Sequence, residues 1–410
     1  MSEFNKNVVT MITGTAIAQA MPIAISPILT RLYSPSEFGI FSLFISISAI
    51  INVIASGRYE LAIMLPKSDE DAINITSLSI IIVTAFSFFS LLLIYFFNDW
   101  FSELFGNDEI GIWLFFLPLS MFFTGLYQSM NYWFNRKKQF KRISISRVSV
   151  SSTTAITNVG VGYFGGSGLG LILGTLFGQI YGSFVFVRFF YKSNELPLRR
   201  ITRTKMYFLA KKYKDFPLYD APASLLNISS QYITNILITK SYNAISSGYY
   251  FFAFRLMNAP MALLATAVQD VFKEQASRDF SELGNAKEVF ISTFKKLCLL
   301  ALAPCIVIFL FAPYIFGFIF GEEWREAGVY AQIMSPMLFF RFVASPLSFM
   351  FYIGGKQRLN LIGNLILLVF CLGSFAAASS VRDTIIYITV SFSFVYIGYL
   401  FVSAKIAKVL

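Results

Sequence analysis

The sequence predicts an all-α polytopic membrane protein, and three observations carry that prediction. Of its 410 residues, 56% are hydrophobic and only 13% are charged, about half the charged share of a soluble domain. Apolar runs such as 73–97 and 361–378 are long enough to cross ~30 Å of hydrocarbon as helix. The basic residues gather in alternate connecting segments, as they do when one set of loops stays in the cytoplasm.

In chain order, apolar runs set against turn signals predict about twelve spans, near 8–30, 39–61, 73–97, 111–134, 143–163, 168–190, 216–239, 247–272, 291–317, 327–353, 359–378 and 384–404. No connecting segment is long enough for a separate soluble domain. Ala18-Gln19-Ala20 imitates a signal-peptidase site, but cleavage there would remove part of the first span and spoil the alternation of charge. The N-terminus, 58–72, 135–142, 188–215, 273–296, 354–359 and the C-terminal tail together hold 26 of the 33 Lys and Arg. The opposite set holds Arg31, Lys240, Arg325 and Arg382. Both termini are therefore expected in the cytoplasm, with the acidic stretches 99–109 and 322–326 outside.

Several chemistries fall away. The chain has no histidine, which excludes His-based catalysis and His metal sites. Cys298, Cys305 and Cys371 lie in apolar runs and read as small buried hydrophobes. The net charge of +11 follows from topology and calls for no nucleic acid. Asp69-Glu70-Asp71 spells the D-x-D of metal–nucleotide-sugar sites but sits in a short turn, and a solvated acidic turn is the expected reading. No catalytic residue, metal ligand or cofactor emerges.

The two halves repeat. Leu29-Thr30-Arg31-Leu32-Tyr33 through Gly39-Ile40-Phe41 aligns with Ile238-Thr239-Lys240-Ser241-Tyr242 through Gly248-Tyr249-Tyr250 at a constant offset. Phe105-Gly106 matches Phe320-Gly321, and Lys138-Gln139 matches Lys356-Gln357. Six spans per half make the repeat parallel, the pattern of two bundles rocking round a central cavity. The expected organisation is an N-terminal six-helix lobe (1–190), a basic amphipathic cytoplasmic linker (191–215) and a C-terminal six-helix lobe (216–410). Basic residues alternate with Met206, Tyr207, Phe208 and Leu209 in that linker, as in a helix lying on a lipid surface.

An ionisable group at mid-bilayer must face protein or water. Arg255 and Arg341 lie deep in spans eight and ten, which suits an anion-binding cavity or internal ion pairs. Arg58, Glu60 and Arg147 are placed at helix edges, where long side chains snorkel. Glu60, Asp220 and Asp270 are candidates to hold a coupling H+ or Na+, or to pair with Arg58 or Arg147. Pro22 and Pro27 with Gln19 interrupt span one, and span seven carries Pro222, Asn227, Gln231 and Asn235. Such polar, Pro-broken helices in both halves point to a substrate path. Gln128, Asn131 and Gln179 add hydrogen-bonding groups suited to sugars, or to holding helices together.

The blocks from Gly14 to Gln19, Pro27 to Gly39 and Arg58 to Pro66 resemble the opening of bacterial polysaccharide flippases of the Wzx type. Gly168–Gly174 and Phe216–Pro222 are similar to later landmarks of that family. The resemblance runs over essentially the whole chain. It implies the multidrug/oligosaccharidyl-lipid/polysaccharide exporter superfamily, with two six-helix lobes working by alternating access in the bacterial inner membrane. The implied substrate is an undecaprenyl-pyrophosphate-linked oligosaccharide unit for O-antigen, capsule or exopolysaccharide, delivered to polymerase machinery. It implies that cavity arginines meet the pyrophosphate, with Arg255 and Arg341 in the second half and Arg31, Arg58 or Arg147 in the first if one turns inward. A drug/cation antiporter of the same superfamily and a membrane enzyme such as an O-antigen polymerase are the alternatives. The first would be expected to centre on acidic residues, and the second to carry a large outer loop.

The orientation is testable. Single cysteines at Ser102 and Ser379 should react with an impermeant thiol reagent in intact spheroplasts, and one at Ser193 should not. Labelling at Ser193 would invert the topology.

Overall fold

The computed structural model describes residues 3–107, 109–192, 200–356 and 358–409, with side chains from Met11 onward, Ile12 excepted. Ser193, Arg199 and Gln357 lie outside the described residues. The described elements are helical throughout. Hydrocarbon offers no hydrogen bonds to a peptide group, so a spanning segment satisfies its backbone within its own helix.

By contact the chain forms two compact units, residues 1–240 and 241–410. The first opens with α1 (Glu3–Ala24) and α2 (Ser26–Leu32), separated at Ile25, where Pro22 and Pro27 disturb one helical ladder. α3 (Pro35–Ala55) follows a complete capping box: Ser34 accepts from the Glu37 amide, and Glu37 accepts from the Ser34 amide. The chain then turns through Gly57 and Arg58, both left-handed, into the short α4 (Tyr59–Ala62). The second span thus ends at Ala55 rather than at 61, which leaves Arg58 and Glu60 in a turn beyond it.

α5 (Asp69–Phe105) is 37 residues long, ~55 Å at helical rise, so it extends well past the bilayer core. After α6 (Ile110–Leu114) come α7 (Leu117–Arg136), α8 (Phe140–Tyr163), α9 (Leu169–Lys192) and the basic helix α10 (Arg203–Lys212). A single π-helical turn, Phe216–Asp220, leads into α11 (Ala221–Ser241), which is counted with the first unit. The second unit holds α12 (Ala244–Leu283), α13 (Lys287–Phe320), α14 (Arg325–Leu347), α15 (Met350–Ile353), α16 (Arg358–Ala377) and α17 (Val381–Ile406). Residues 273–296, expected as a connection, are mostly continuations of α12 and α13.

Among the described residues nine helices are long and apolar enough to cross a membrane. α8 and α11 have 24 and 21 residues and are too polar to qualify. Helices of that length with polar faces survive in hydrocarbon by turning those faces to one another. α8 and α9 do so closely. Gly170, Gly174, Gly178 and Gly182 form one stripe of α9, and side chains built on them would strike Tyr33, Asn158, Thr154 and Val150. Ser146 Oγ donates to the Gly182 carbonyl at 3.0 Å across this seam.

The repeat is visible as local chemistry inside each unit. Tyr33 donates to the Asn158 carbonyl at 2.6 Å, near the end of span five. Its counterpart Tyr242 donates to the Ser380 carbonyl at 3.2 Å, at the start of span twelve. The next residues, Ser34 and Asn243, both cap helices. The turns after spans four and ten are alike as well: Gln139 N donates to the Phe134 carbonyl and Lys356 N to the Phe351 carbonyl. By that geometry Gln139 corresponds to Lys356, so the Lys-Gln pairs matched in the sequence sit one residue out of register.

Asp69-Glu70-Asp71 is not simply a solvated turn. These acids occupy the first turn of α5, where the helix dipole favours negative charge. Asp69 pairs with Arg136 at 2.9 Å and Lys137 at 2.6 Å, and Glu70 pairs with Lys205 and Arg200.

Gly178→Leu should weaken the fold, because a Cβ there meets the Val150 carbonyl at 2.9 Å. Overpacking of this kind costs about 1–3 kcal/mol. A Cβ at Gly160 on α8 meets nothing within 4 Å, so Gly160→Leu is the control. Thermal unfolding in detergent should drop for the first variant only.

Candidate functional site

A cavity of about 450 Å³ lies inside the first unit. α1 supplies Thr15 and Gln19, α7 Thr124 and Tyr127, α8 Arg147 and Ser151, and α9 Gln179. Arg147 is the charged group among these. It is the eighth residue of α8, ~10 Å along the helix, and instead of snorkelling outward it turns to α1. There Arg147 Nη1 donates to Thr15 Oγ1 at 2.7 Å, while Thr15 Oγ1 donates to the Met11 carbonyl at 2.8 Å. A guanidinium has five N–H donors, so this contact orients Arg147 and leaves most of its donors for a ligand. Ser151 Oγ donates to the Ala18 carbonyl at 2.8 Å, a second bond between α8 and α1. Ser120 Oγ donates to Gln179 Oε1 at 3.1 Å, which holds the amide with its NH2 still available.

The other residues expected from the sequence are dispersed. Gln19 is exposed at the cavity and Arg31 is exposed in the last turn of α2. Gln128 is half-buried on α7, and Asn131 has a buried side-chain oxygen without a partner among the described residues. Gln231 donates to Asn227 Oδ1 at 3.0 Å on the surface of α11. In the second unit, Arg255 is exposed with its guanidinium 5.8 Å from the Phe251 ring. Arg341 is half-buried, 5.4 Å from the Phe254 ring, and forms no ion pair among the described residues. Asp270 is 69% exposed and pairs with Lys273 one turn on, as an ordinary helix-surface ion pair does.

Arg58, Glu60 and Asp220 do come together. Arg58 Nε donates to Asp220 Oδ2 at 2.7 Å, and Arg58 Nη1 lies 3.4 Å from Glu60 Oε1. Glu60 is 2% exposed and accepts from Ser56 Oγ. A left-handed Arg is a strained backbone choice, and here it places the guanidinium between two acids. Asp220 closes the π-helical turn whose Pro217 packs beside Gly57. Burial pushes the Glu60 carboxyl up, while the Ser56 hydroxyl and the Arg58 charge pull it down.

Thr15, Tyr127 and Ser151 are the residues that sequence reasoning left aside, while it places Arg147 at a helix edge and names it only as one of three arginines that could turn inward. The available signal was α8 itself, with Ser149, Ser151, Ser152, Thr153, Thr154 and Asn158 too polar to face lipid. Among the described residues no group of three acids or cysteines is placed to hold a metal ion.

Arg58→Ala should destabilise the protein more than Asp220→Ala, since it strands a buried carboxylate at a cost of several kcal/mol. Because the Glu60 carboxyl is raised in the fold, its ionisation removes stability as pH rises through that raised value. The Arg58→Ala deficit should therefore be larger at neutral pH than at mildly acidic pH. Thermal unfolding at both conditions measures it.

The model of the polysaccharide biosynthesis protein family matches residues 28–329. No curated protein matches significantly. The fold is similar to the lipid II flippase MurJ in its inward closed conformation, with a TM-score of 0.78, 14% identity, and 97% of this chain and 87% of that one covered. It is also similar to an inward-facing multidrug resistance MATE transporter, with a TM-score of 0.70, 15% identity, and 97% and 95% covered. A third is a transporter from Pyrococcus furiosus Vc1, described as having a binding pocket of reverse polarity, with a TM-score of 0.64, 15% identity, and 98% and 94% covered. The chain belongs to the polysaccharide biosynthesis protein family, and its fold is that shared by the lipid II flippase MurJ and the MATE transporters.

Proposed function

We propose that the protein is a flippase that moves undecaprenyl-pyrophosphate-linked oligosaccharide units across the bacterial inner membrane for surface polysaccharide assembly. The observation that carries this reading is the charge of the first-unit cavity: Arg147 is surrounded by hydroxyls and amides, with no carboxylate in the lining among the described residues. Such a lining suits an anionic, hydroxyl-rich headgroup. A guanidinium offers phosphate or carboxylate oxygens paired donors, and fixed dipoles replace the water that the headgroup leaves behind. The same lining disfavours a cation antiporter, whose cargo needs acidic residues.

In this reading the halves 1–190 and 216–410 alternate access, joined by the basic segment 191–215 on the cytoplasmic side, with both termini in the cytoplasm. Arg147 serves the headgroup in the first half, and Arg255 and Arg341 extend the cationic path in the second. Gln19 and Gln179 read sugar hydroxyls. Glu60 and Asp220, bridged by Arg58, form the candidate coupling site, because protonating either acid loosens the bridge. Asp270, already paired at the surface, is the weaker candidate. A polymerase is the expected downstream partner.

Proteoliposomes loaded with a fluorescent lipid-linked oligosaccharide test the reading. Arg147→Ala should lower the flipping rate at least about tenfold, since a lost charge-assisted contact is worth roughly 1.5–3 kcal/mol. Arg147→Lys should keep part of the activity. Arg255→Ala and Arg341→Ala should each reduce the rate at unchanged abundance. Wild-type flipping by Arg147→Ala would remove this cavity from the transport path, and absence of flipping by the wild-type protein would overturn the function.

A further inference from the structure

The cavity round Arg147 is small. At about 450 Å³ it lies toward the lower end of small-molecule pockets, which run from about 300 to 1,000 Å³. It has room for a phosphate and the sugar bonded to it, not for a whole oligosaccharide. A headgroup whose phosphate meets Arg147 therefore sets that first sugar against the rest of the lining.

Three neighbouring features decide which sugar fits. The first is Gln179: Ser120 Oγ donates to its Oε1 at 3.1 Å, so the amide oxygen is engaged and the NH2 is held out as a donor. The second is Thr124, one turn beyond Ser120 on the same face of α7 and so beside that amide. Its hydroxyl oxygen is buried and has no partner among the described residues, and it is the one oxygen in that condition within the cavity lining. Such a group costs stability until a ligand or a water completes it. The third is an apolar wall. Val150 and Tyr127 converge on bare Gly182, one turn of α9 beyond Gln179, where a Cβ would strike Val150 and meet the Tyr127 ring at 3.1 Å. The bond from Ser151 Oγ to the Ala18 carbonyl, 2.8 Å long, draws Ala18 to α8 beside Val150.

Resting on the flippase reading above, we propose that this cavity selects substrates whose phosphate-linked sugar carries an acetamido group. Gln179 and Thr124 are the specificity-determining residues, and Ser120 is the positioning residue for Gln179. An acetamido group is planar and presents a carbonyl oxygen, an N–H and a methyl. The carbonyl accepts from the Gln179 NH2, the N–H donates to Thr124 Oγ1, and the methyl covers Val150 and Ala18. A sugar hydroxyl in the same place satisfies one of the two polar groups and leaves the wall bare. Discrimination follows because a site built round paired polar groups penalises a ligand that leaves one of them unmatched.

The test uses the full chain and two synthetic probes, polyprenyl pyrophosphates bearing a single N-acetylglucosamine or a single glucose, which differ only at the acetamido position. Competition for a fluorescent N-acetylglucosamine probe in nanodiscs should favour the acetamido form about tenfold, close to the worth of one neutral hydrogen bond. Gln179→Leu should bring the two affinities together by weakening the acetamido form alone. Thr124→Val removes a hydroxyl that has no protein partner, so thermal unfolding should hold while the preference shrinks. Ser120→Ala should lower the preference without lowering affinity for the glucose probe, which a purely structural role would not do. Arg147→Ala should weaken both probes equally and keep their ratio. Equal affinity of the unaltered protein for both probes overturns the proposal, and so does a full preference retained by both Gln179→Leu and Thr124→Val. The ratio for the unaltered protein decides the matter even if a variant fails to fold. In proteoliposomes, flipping of both probes at one rate with no preference in binding sinks this inference alone. A preference in binding without flipping of either probe sinks the transport reading alone.

Discussion

Hydrocarbon supplies no hydrogen bonds, and the rest of this structure follows from how its polar helices meet that constraint. α8 carries Ser, Thr and Asn along much of its length, so it must be enclosed by protein. The glycine stripe of α9 lets the two backbones approach until Ser146 reaches the Gly182 carbonyl and Tyr33 reaches the Asn158 carbonyl. α1 closes another side through Ser151–Ala18 and Arg147–Thr15. The cavity is what remains between helices held by these bonds. Its polarity is a by-product of the helices being too polar to stand in lipid.

The fold was largely legible in the sequence because apolar length and charge alternation are one-dimensional signals. The break between α1 and α2 could be read from Pro22 and Pro27, and the helix in the basic linker from its alternation. Helix length was less legible: α5, α12 and α13 run past the bilayer, where propensity and capping set the end and hydropathy is silent. Arg147 shows where depth arguments stop. Counting residues from a helix start gives how far along a side chain lies, while the face it takes depends on neighbours far away in sequence. Thr15, 132 positions away, decided that Arg147 points inward. Asp69–Asp71 illustrates the same limit, since their partners Arg136, Lys137 and Lys205 belong to later helices.

The turn at Gly57-Arg58 has a different logic. Gly57 takes the left-handed conformation freely while Arg58 takes it at a cost, and the return is geometric: the Arg58 guanidinium reaches Asp220 on one side and Glu60 on the other. That bridge binds the π-helical start of α11 to the turn after α3, which accounts for α11 being counted with the first unit although it begins the second half of the repeat. The ion pair thus ties the last residue of the π-turn to the turn that follows α3.

Duplication explains the remaining asymmetry. Local features under pure folding constraint are kept in both halves: a Tyr bonding to the junction of the last two spans of its half, then a cap residue, then a long helix. The crevices have parted, with Arg147, Gln19 and Gln179 lining one and Ile333, Phe340 and Phe394 lining its counterpart between α14 and α17. A carrier for a uniformly polar solute would gain from two similar sites. A molecule that is anionic and hydroxylated at one end and hydrocarbon at the other presents two incompatible solvation demands, and one crevice cannot meet both. The two crevices differ in that respect, the first lined by hydrogen-bonding groups and the second by apolar side chains.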